Sequence, residues 1–153
     1  MTDIAVVDYG MGNLRSVAKA LAHVAPDRSI VVSADPGIIR DAARVVLPGQ
    51  SAMPDCMRCL DASGLREVVV EAAASRPFLG ICLGLQWLFE GSTEATEVPG
   101  LGLMNGRCER LPSSATGPEG RPEVLKIPHV GWNALSFPRP SVLFAGLDEG
   151  VQV

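Results

Sequence analysis

The chain has 153 residues, enough for one globular domain, and its 13 basic and 17 acidic side chains give a net charge of −4. That charge supplies no basic surface for a phosphate backbone, so nucleic acid is excluded as an expected partner. The acidic N-terminal segment and the lack of a long apolar run argue against a secretory signal or a membrane span, and we expect a cytoplasmic protein.

Apolar runs of strand length alternate with helical patterns up to Gly91. Four runs predict buried strands: DIAVVD, SIVVS, ARVVLPG and PFLGI. Helical periodicity follows Leu14, a short helix is predicted within DPGIIRDA, and residues 52–75 are mostly helical with a break near DASG. Continuous apolar strands separated by helices predict an α/β fold, namely a flavodoxin-like, doubly wound, mostly parallel sheet flanked by helices.

The pattern changes after Gly91. The polar segment GSTEATEVPG and the Pro-, Gly- and Ser-rich segment LPSSATGPEGRP predict loops. Strands in β-hairpins are predicted for GLGLMNGRCERL and EVLKIPHVGWNALSF, as additions in the C-terminal part. We expect residues 1–153 to form a single domain.

Three predicted loops follow strands of the parallel sheet: YGMGN, PGQS and CLG. Since such sheets place their sites at the carboxyl ends of the strands, we expect these loops to meet at one rim. Cys82 stands there in a G-x-C-x-G motif, the layout of a nucleophile elbow, where a reactive side chain occupies a sharp strand-to-helix turn between small residues. The alternative is that Cys82 is a small buried hydrophobe.

The predicted turn would also activate a thiol. Free N–H groups and the positive end of the dipole of the following helix favour the thiolate of Cys82. The backbone N–H of Leu83 would point toward an oxyanion formed on an acyl group attached to that sulfur. The motif therefore predicts acyl transfer on a cysteine.

Four segments carry a resemblance to a known family. PFLGICLGLQWLFEGS and VVLPG resemble the nucleophile motif and oxyanion loop of class I, triad-type glutamine amidotransferases. VDYGMGNLRSV and KIPHVGWN are similar to the family of glutaminase subunits of imidazole glycerol phosphate synthase. The resemblance implies hydrolysis of L-glutamine to glutamate and ammonia through a glutamyl thioester. It also implies that the ammonia is channelled to a (β/α)8-barrel cyclase subunit, which makes imidazole glycerol phosphate and an aminoimidazole carboxamide ribotide in histidine biosynthesis.

The resemblance also implies roles for individual residues. Cys82 matches the nucleophile, Gly49 and Leu83 match the backbone oxyanion donors, and Gln86 matches a residue that lines the glutamine pocket. No cofactor and no metal are implied. Asn13 and Trp132 are candidates for the face that docks on the cyclase. Their alternatives are a helix N-cap for Asn13 and a half-buried core aromatic for Trp132.

The chain departs from the family pattern at two places. The oxyanion loop usually has the pattern Pro-Gly-x-Gly, but here Ser51 replaces the second glycine, at a cost of about 1 kcal/mol if that position needs a positive φ. The family's catalytic His and Glu lie in a His-x-Glu segment further on, and the chain stops at Val153. We therefore expect a domain that is incomplete at its C-terminus, that reacts weakly at Cys82 and that turns over glutamine barely or not at all, even with the cyclase present. The alternative function is a catalytically impaired fragment or a docking module for the cyclase, and a thiol hydrolase or stress protein is disfavoured.

The remaining cysteines and histidines have simpler interpretations. Cys56 and Cys59 form a C-x-x-C, but no second pair accompanies them, so free thiols on one helix face are favoured over a redox or zinc site. Cys108 is predicted to be a packing residue. His129 could pair with Cys82 as a base, although the resemblance places it in a structural segment, and His23 is predicted at the surface near a helix C-terminus.

Overall fold

A computed structural model describes residues 2–116, 122–124, 126–127 and 130–153. The chain divides into two compact units, Met1–Arg110 and Leu111–Val153. Each unit is described by itself below. Within the described residues, no helix combines the length and the apolar character needed to cross a membrane.

The first unit alternates strands and helices as the sequence predicts. Its elements in chain order are β1 (Ile4–Val7), α1 (Leu14–Val24), β2 (Ile30–Ser33), α2 (Pro36–Asp41), β3 (Arg44–Gly49), α3 (Met53–Ala62), α4 (Arg66–Ser75), β4 (Phe78–Cys82), α5 (Leu83–Gln86), β5 (Gly91–Ser92), β6 (Ala95–Pro99) and β7 (Arg107–Cys108). The first four strands form one parallel sheet in the order β2-β1-β3-β4. The predicted doubly wound α/β fold is confirmed.

Both faces of this sheet are covered by helices, because alternate residues of a strand point to opposite sides. On one face, Ile4 and Val6 of β1 pack against α1 through Leu14 and its neighbours. On the other face, Ala5 and Val7 join a larger core with the apolar side chains of α2, α3 and α4. This larger core extends to the ends of β3 and β4 and supports the loops there.

The segment after α5 differs from the prediction. GSTEATEVPG is not a loop, since β5 and β6 pair in it as an antiparallel hairpin in which Ser92 and Ala95 are buried. The strand predicted in GLGLMNGRCERL is limited to β7, which pairs parallel to β5. Gly102 and Gly106 take φ values of 64° and 100° and turn the chain before it, which explains the short strand.

The second unit contains a short antiparallel pair, β8 (Ser114–Thr116) and β9 (Pro122–Val124). β8 lies inside LPSSATGPEGRP, so the prediction of a loop was wrong for these residues. One 3₁₀ turn follows at Val142–Phe144, and Ala134 forms an isolated antiparallel bridge with Gln152. The predicted β-hairpin additions are confirmed only in part: β9 overlaps the start of EVLKIPHVGWNALSF and pairs antiparallel with β8, whereas β7 pairs parallel to β5 and forms no hairpin.

Candidate active site

Three loops meet at the carboxyl end of the parallel sheet. Gly49, at the end of β3, is the register partner of Cys82, at the end of β4. A Cβ added to Gly12 would lie 3.5 Å from the Cβ of Pro48, so the YGMGN loop borders the PGQS loop. The predicted convergence of the loops on one rim is confirmed.

Cys82 occupies a strained backbone turn between β4 and α5. Its φ of 57° and ψ of −122° fall in a region that residues other than glycine rarely adopt. Such backbone outliers cluster at functional sites. The residue is exposed, which rules out the alternative of a small buried hydrophobe. The backbone thus has the predicted elbow geometry and presents the thiol to solvent.

The two glycines of the G-x-C-x-G motif are required by close backbone contacts. A Cβ on Gly80 would lie 2.6 Å from the Cα of Leu85, and a Cβ on Gly84 would overlap the carbonyl of Leu47, with 2.9 Å to its carbon. Real Cβ atoms do not approach backbone so closely. α5 therefore lies directly over the ends of β3 and β4, and the glycines make that crossing possible.

The predicted oxyanion donors lie beside Cys82. A Cβ on Gly49 would stand 2.7 Å from the Cβ of Leu83, so the two residues are in contact, and Leu83 is buried. The predicted helix after Cys82 is a single turn, Leu83–Gln86. A helix macrodipole is the sum of many aligned peptide dipoles, and a single turn has few of them. The free N–H groups at the start of this turn would therefore stabilise a Cys82 thiolate more than a helix dipole would. Gln86 is half-buried at the end of that turn.

Ser51 takes the positive φ that the departure from Pro-Gly-x-Gly suggested, with a value of 83°. A non-glycine residue in the left-handed region destabilises the folded state by about 1–2 kcal/mol. A new glycine offsets part of the gain, because the extra conformational entropy that it gives the unfolded chain lowers stability by about 0.4–1 kcal/mol. We predict that Ser51→Gly raises the free energy of unfolding by about 0.5–1 kcal/mol, measured by urea denaturation. Ser63→Gly is the matched control, because Ser63 has an ordinary φ of −75° and should lose stability. Equal effects at both serines would contradict the prediction.

The inner side of the oxyanion loop rests on buried polar groups that the sequence analysis missed. The thiol of Cys56 donates to the carbonyl oxygen of Gln50 at 2.9 Å, and the hydroxyl of Tyr9 donates to the Cys56 sulfur at 3.8 Å. Burial raises the pKa of the Cys56 thiol, and burial together with the Cys56 contact raises the pKa of Tyr9. Cys56 was noticed only as part of C-x-x-C, and no local pattern pairs it with Tyr9, which lies 47 positions earlier.

The other singled-out residues have different positions. Asn13 caps α1, since its side-chain oxygen accepts from the N–H of Ser16 at 3.2 Å. Trp132 is 80% exposed, so its alternative as a half-buried core aromatic is wrong. His23 is exposed in the last turn of α1, as predicted. His129 lies outside the described residues.

The cysteines other than Cys82 belong to the framework of the first unit. Cys56 is buried, Cys59 and Cys108 are partly buried, and all are free thiols in the structure. The Cys108 thiol donates to the carbonyl of Gln86 at 3.7 Å, a weak contact consistent with packing. In the part of the chain that the structure describes, no group of His, Cys, Asp and Glu side chains is arranged to hold a metal ion.

Comparison with known proteins agrees with this geometry. The family model for class-I glutamine amidotransferases matches residues 5–153, and the chain belongs to this family. It is also similar to proteins named imidazole glycerol phosphate synthase subunit HisH. The one from Nitrosospira multiformis is 62% identical over 87% of this chain and 62% of its own length. Those from Aromatoleum aromaticum and Nitrosomonas europaea are each 54% identical over 97% of this chain and 69% of their own lengths. The chain thus spans about two thirds of the length of these curated relatives.

Proposed function

We propose that the protein is a glutaminase subunit that releases ammonia from L-glutamine for a cyclase subunit of imidazole glycerol phosphate synthase. The observation that carries the proposal is the exposed Cys82 on its strained turn, with Gly49 and Leu83 in contact beside it. The family membership and the names of the relatives support the same reaction and the same partner. A cytoplasmic location and a complex of two different subunits belong to this proposal.

The proposed chemistry begins with attack of the Cys82 thiolate on the side-chain amide carbon of glutamine. The negative charge then develops on the amide oxygen, where the backbone N–H groups of Gly49 and Leu83 would stabilise it. When the amide nitrogen takes up a proton from solvent, collapse of this intermediate breaks the C–N bond, releases ammonia and leaves a glutamyl thioester on Cys82. Water then hydrolyses the thioester to glutamate and regenerates the thiol. Gln86, at the end of α5, would contact the bound glutamine.

Ammonia has to be kept away from water to stay reactive, which is why such a protein would deliver it directly to a bound partner. Ammonia that escapes into water at neutral pH is protonated, and the ammonium ion is no nucleophile. A protected passage to the cyclase would keep the product reactive. We therefore place ammonia use in the cyclase subunit.

We predict that a diazoketone analogue of L-glutamine alkylates Cys82 selectively when the protein is mixed with its cyclase. The reason is that Cys82 combines exposure with a position beside the proposed oxyanion donors, whereas Cys56 is buried. Peptide mapping by mass spectrometry checks the site, and excess L-glutamine should slow the labelling. Cys82→Ala should abolish the adduct, while the matched variant Cys59→Ala should keep it. Adducts confined to Cys56, Cys59 or Cys108 would refute the assignment.

A second candidate function is a docking module whose main role is to bind the cyclase. The observation that favours it is the exposure of two large apolar side chains near one another in sequence, Val130 at 88% and Trp132 at 80%. Exposed aromatic residues are common anchors of protein interfaces. This role is compatible with the glutaminase proposal and separable from it by binding experiments.

We predict that Trp132→Ala weakens binding of the cyclase subunit by about 10-fold or more, because large aromatic anchors dominate interface energetics. Titration calorimetry measures the dissociation constant. Val142→Ala is the matched control, since Val142 lies in the same unit and is 96% exposed but outside KIPHVGWN. An unchanged dissociation constant for Trp132→Ala would exclude this docking face.

A further inference from the structure

A chain of contacts through the core joins the oxyanion loop to the helix that follows the nucleophile. Gln50 accepts from the Cys56 thiol, and Cys56 accepts from the Tyr9 hydroxyl. The Tyr9 ring meets the Trp87 ring edge-on, with centroids 5.0 Å apart and planes at 75°. The backbone N–H of Trp87 donates to the carbonyl of Leu83 at 3.0 Å and closes α5. Tyr9, Cys56 and Trp87 are all buried, whereas Gln50 is exposed and its contact with Cys56 is partly buried.

The direction of the hydrogen bonds in this chain is fixed. Burial raises the pKa of Cys56, and burial and the sulfur contact raise the pKa of Tyr9, so both groups stay protonated at neutral pH. A carbonyl oxygen can only accept, so the thiol donates its one hydrogen to the Gln50 carbonyl and the phenol donates to the sulfur. That carbonyl is consequently held toward the core.

Holding one carbonyl orients the neighbouring peptides of the loop. The Gln50 carbonyl belongs to a planar peptide unit, so its N–H, on Ser51, is directed to the opposite side. The two preceding peptide units carry the N–H groups of Gln50 and Gly49. Only the φ and ψ angles of Gln50 and Gly49 separate them from the held peptide, so fixing the Gln50 carbonyl restricts their orientation. Ser51 follows with a φ of 83°, which ordinary residues avoid, so the loop conformation needs support from outside itself.

We propose that Cys56, supported by Tyr9, is a positioning residue that orients the backbone N–H groups of the oxyanion loop toward the acyl group on Cys82. The inference rests on the proposed function. Cys56 does not touch the substrate in this proposal and acts only through the Gln50 carbonyl. It gives the buried thiol of the C-x-x-C a role in the reaction that does not involve redox chemistry or a metal.

The competing interpretation is that Cys56 only fills the core of the first unit. A filling role predicts a loss of stability on truncation but no selective effect on steps that develop an oxyanion. A positioning role predicts a selective effect on those steps, and rescue by a variant that restores the donor. Cys56→Ala removes the donor, Cys56→Ser keeps an O–H at nearly the same place, and Tyr9→Phe removes only the hydroxyl that donates to the sulfur.

The experiment compares two reactions at Cys82 in the complex with the cyclase. Glutamate release from L-glutamine requires an oxyanion, whereas alkylation by iodoacetamide does not. We expect Cys56→Ala to lower kcat by about 10-fold to 100-fold, with KM and the alkylation rate changed by less than about threefold. Cys56→Ser should recover most of kcat, and Tyr9→Phe should lose less than Cys56→Ala. Urea denaturation of each variant identifies any that fail to fold.

Several results would overturn the inference. A wild-type kcat in Cys56→Ala, or equal losses in Cys56→Ala and Cys56→Ser, would show that the thiol donor has no positioning role. Parallel losses of kcat and alkylation rate would indicate general disorder around Cys82 instead. Failure of the diazoketone analogue to label Cys82 in the wild type would refute the proposed function. Hydrogen exchange of residues 48–52 then decides whether Cys56 holds the loop, since exchange should be faster in Cys56→Ala than in Cys56→Ser.

Discussion

Replacing Gly84 by alanine is expected to lower the free energy of unfolding by about 3 kcal/mol. The added Cβ would overlap the carbonyl of Leu47 and lie 3.2 Å from the carbonyl carbon of Pro48. Both contacts are with backbone atoms of β3, which cannot move aside like the end of a flexible side chain. Alanine normally stabilises a helix relative to glycine by about 1 kcal/mol, so the collision must reverse the usual sign.

The same substitution should also disturb the nucleophile. Moving α5 away from β3 would displace Cys82, which immediately precedes the helix, and we expect labelling by the diazoketone analogue to be lost along with stability. Gly131→Ala is the matched control, because a Cβ there meets no atom of the described residues within 4 Å and the glycine does not have a positive φ. Urea denaturation of both variants checks the prediction. A Gly84→Ala protein as stable as Gly131→Ala would show that α5 does not cross the strands this closely.

The sheet was predictable because its strands are continuous apolar runs. β1 supplies core residues to both faces, so its sequence does not alternate with polar residues and is distinct from a helical pattern. The start of α1 was equally readable, since Asn13 provides the capping oxygen. Sequence patterns succeed at such positions because the physical cause lies within a few residues.

The β5–β6 hairpin was missed because its burial depends on tertiary packing. Ser92 is a buried polar residue, and Val98 packs against the core from a strand in which Ala95 is buried and Thr96 and Glu97 are exposed. A short polar segment with one or two inward residues has no distinctive periodicity. The hairpin therefore forms because of its contacts with the rest of the first unit, which the local sequence does not reveal.

The candidate site was predictable to the extent that its geometry is local. The glycine spacing around Cys82 corresponds to close contacts of Gly80 and Gly84 with backbone, which any side chain would prevent. The support of the oxyanion loop by Tyr9 and Cys56 was not predictable, since these residues come from separate elements and meet only in the folded chain. The catalytic role of Cys82 stays a prediction until the labelling experiment is made.

Replacing Cys82 by glycine is expected to yield a more stable protein than replacing it by alanine, by about 1–3 kcal/mol. Both variants lack the thiol, so they differ mainly in whether a Cβ must occupy a φ of 57° and a ψ of −122°. At an ordinary position the order is reversed, because glycine loses more conformational freedom on folding and is less stable by about 0.5–1 kcal/mol. A higher free energy of unfolding for Cys82→Gly than for Cys82→Ala would therefore show that the backbone at this position is strained.

The matched comparison is at Cys59, which lies inside α3, where Cys59→Ala should be more stable than Cys59→Gly by about 1 kcal/mol. Urea denaturation of the four variants gives both differences under one set of conditions. If alanine is at least as stable as glycine at both positions, Cys82 is not strained and the elbow geometry is wrong. If the order inverts only at Cys82, the fold is less stable because a side chain is held at this turn. Such a cost is expected where a residue is retained for reactivity and not for packing, since glycine would fit the same backbone but could not attack a substrate.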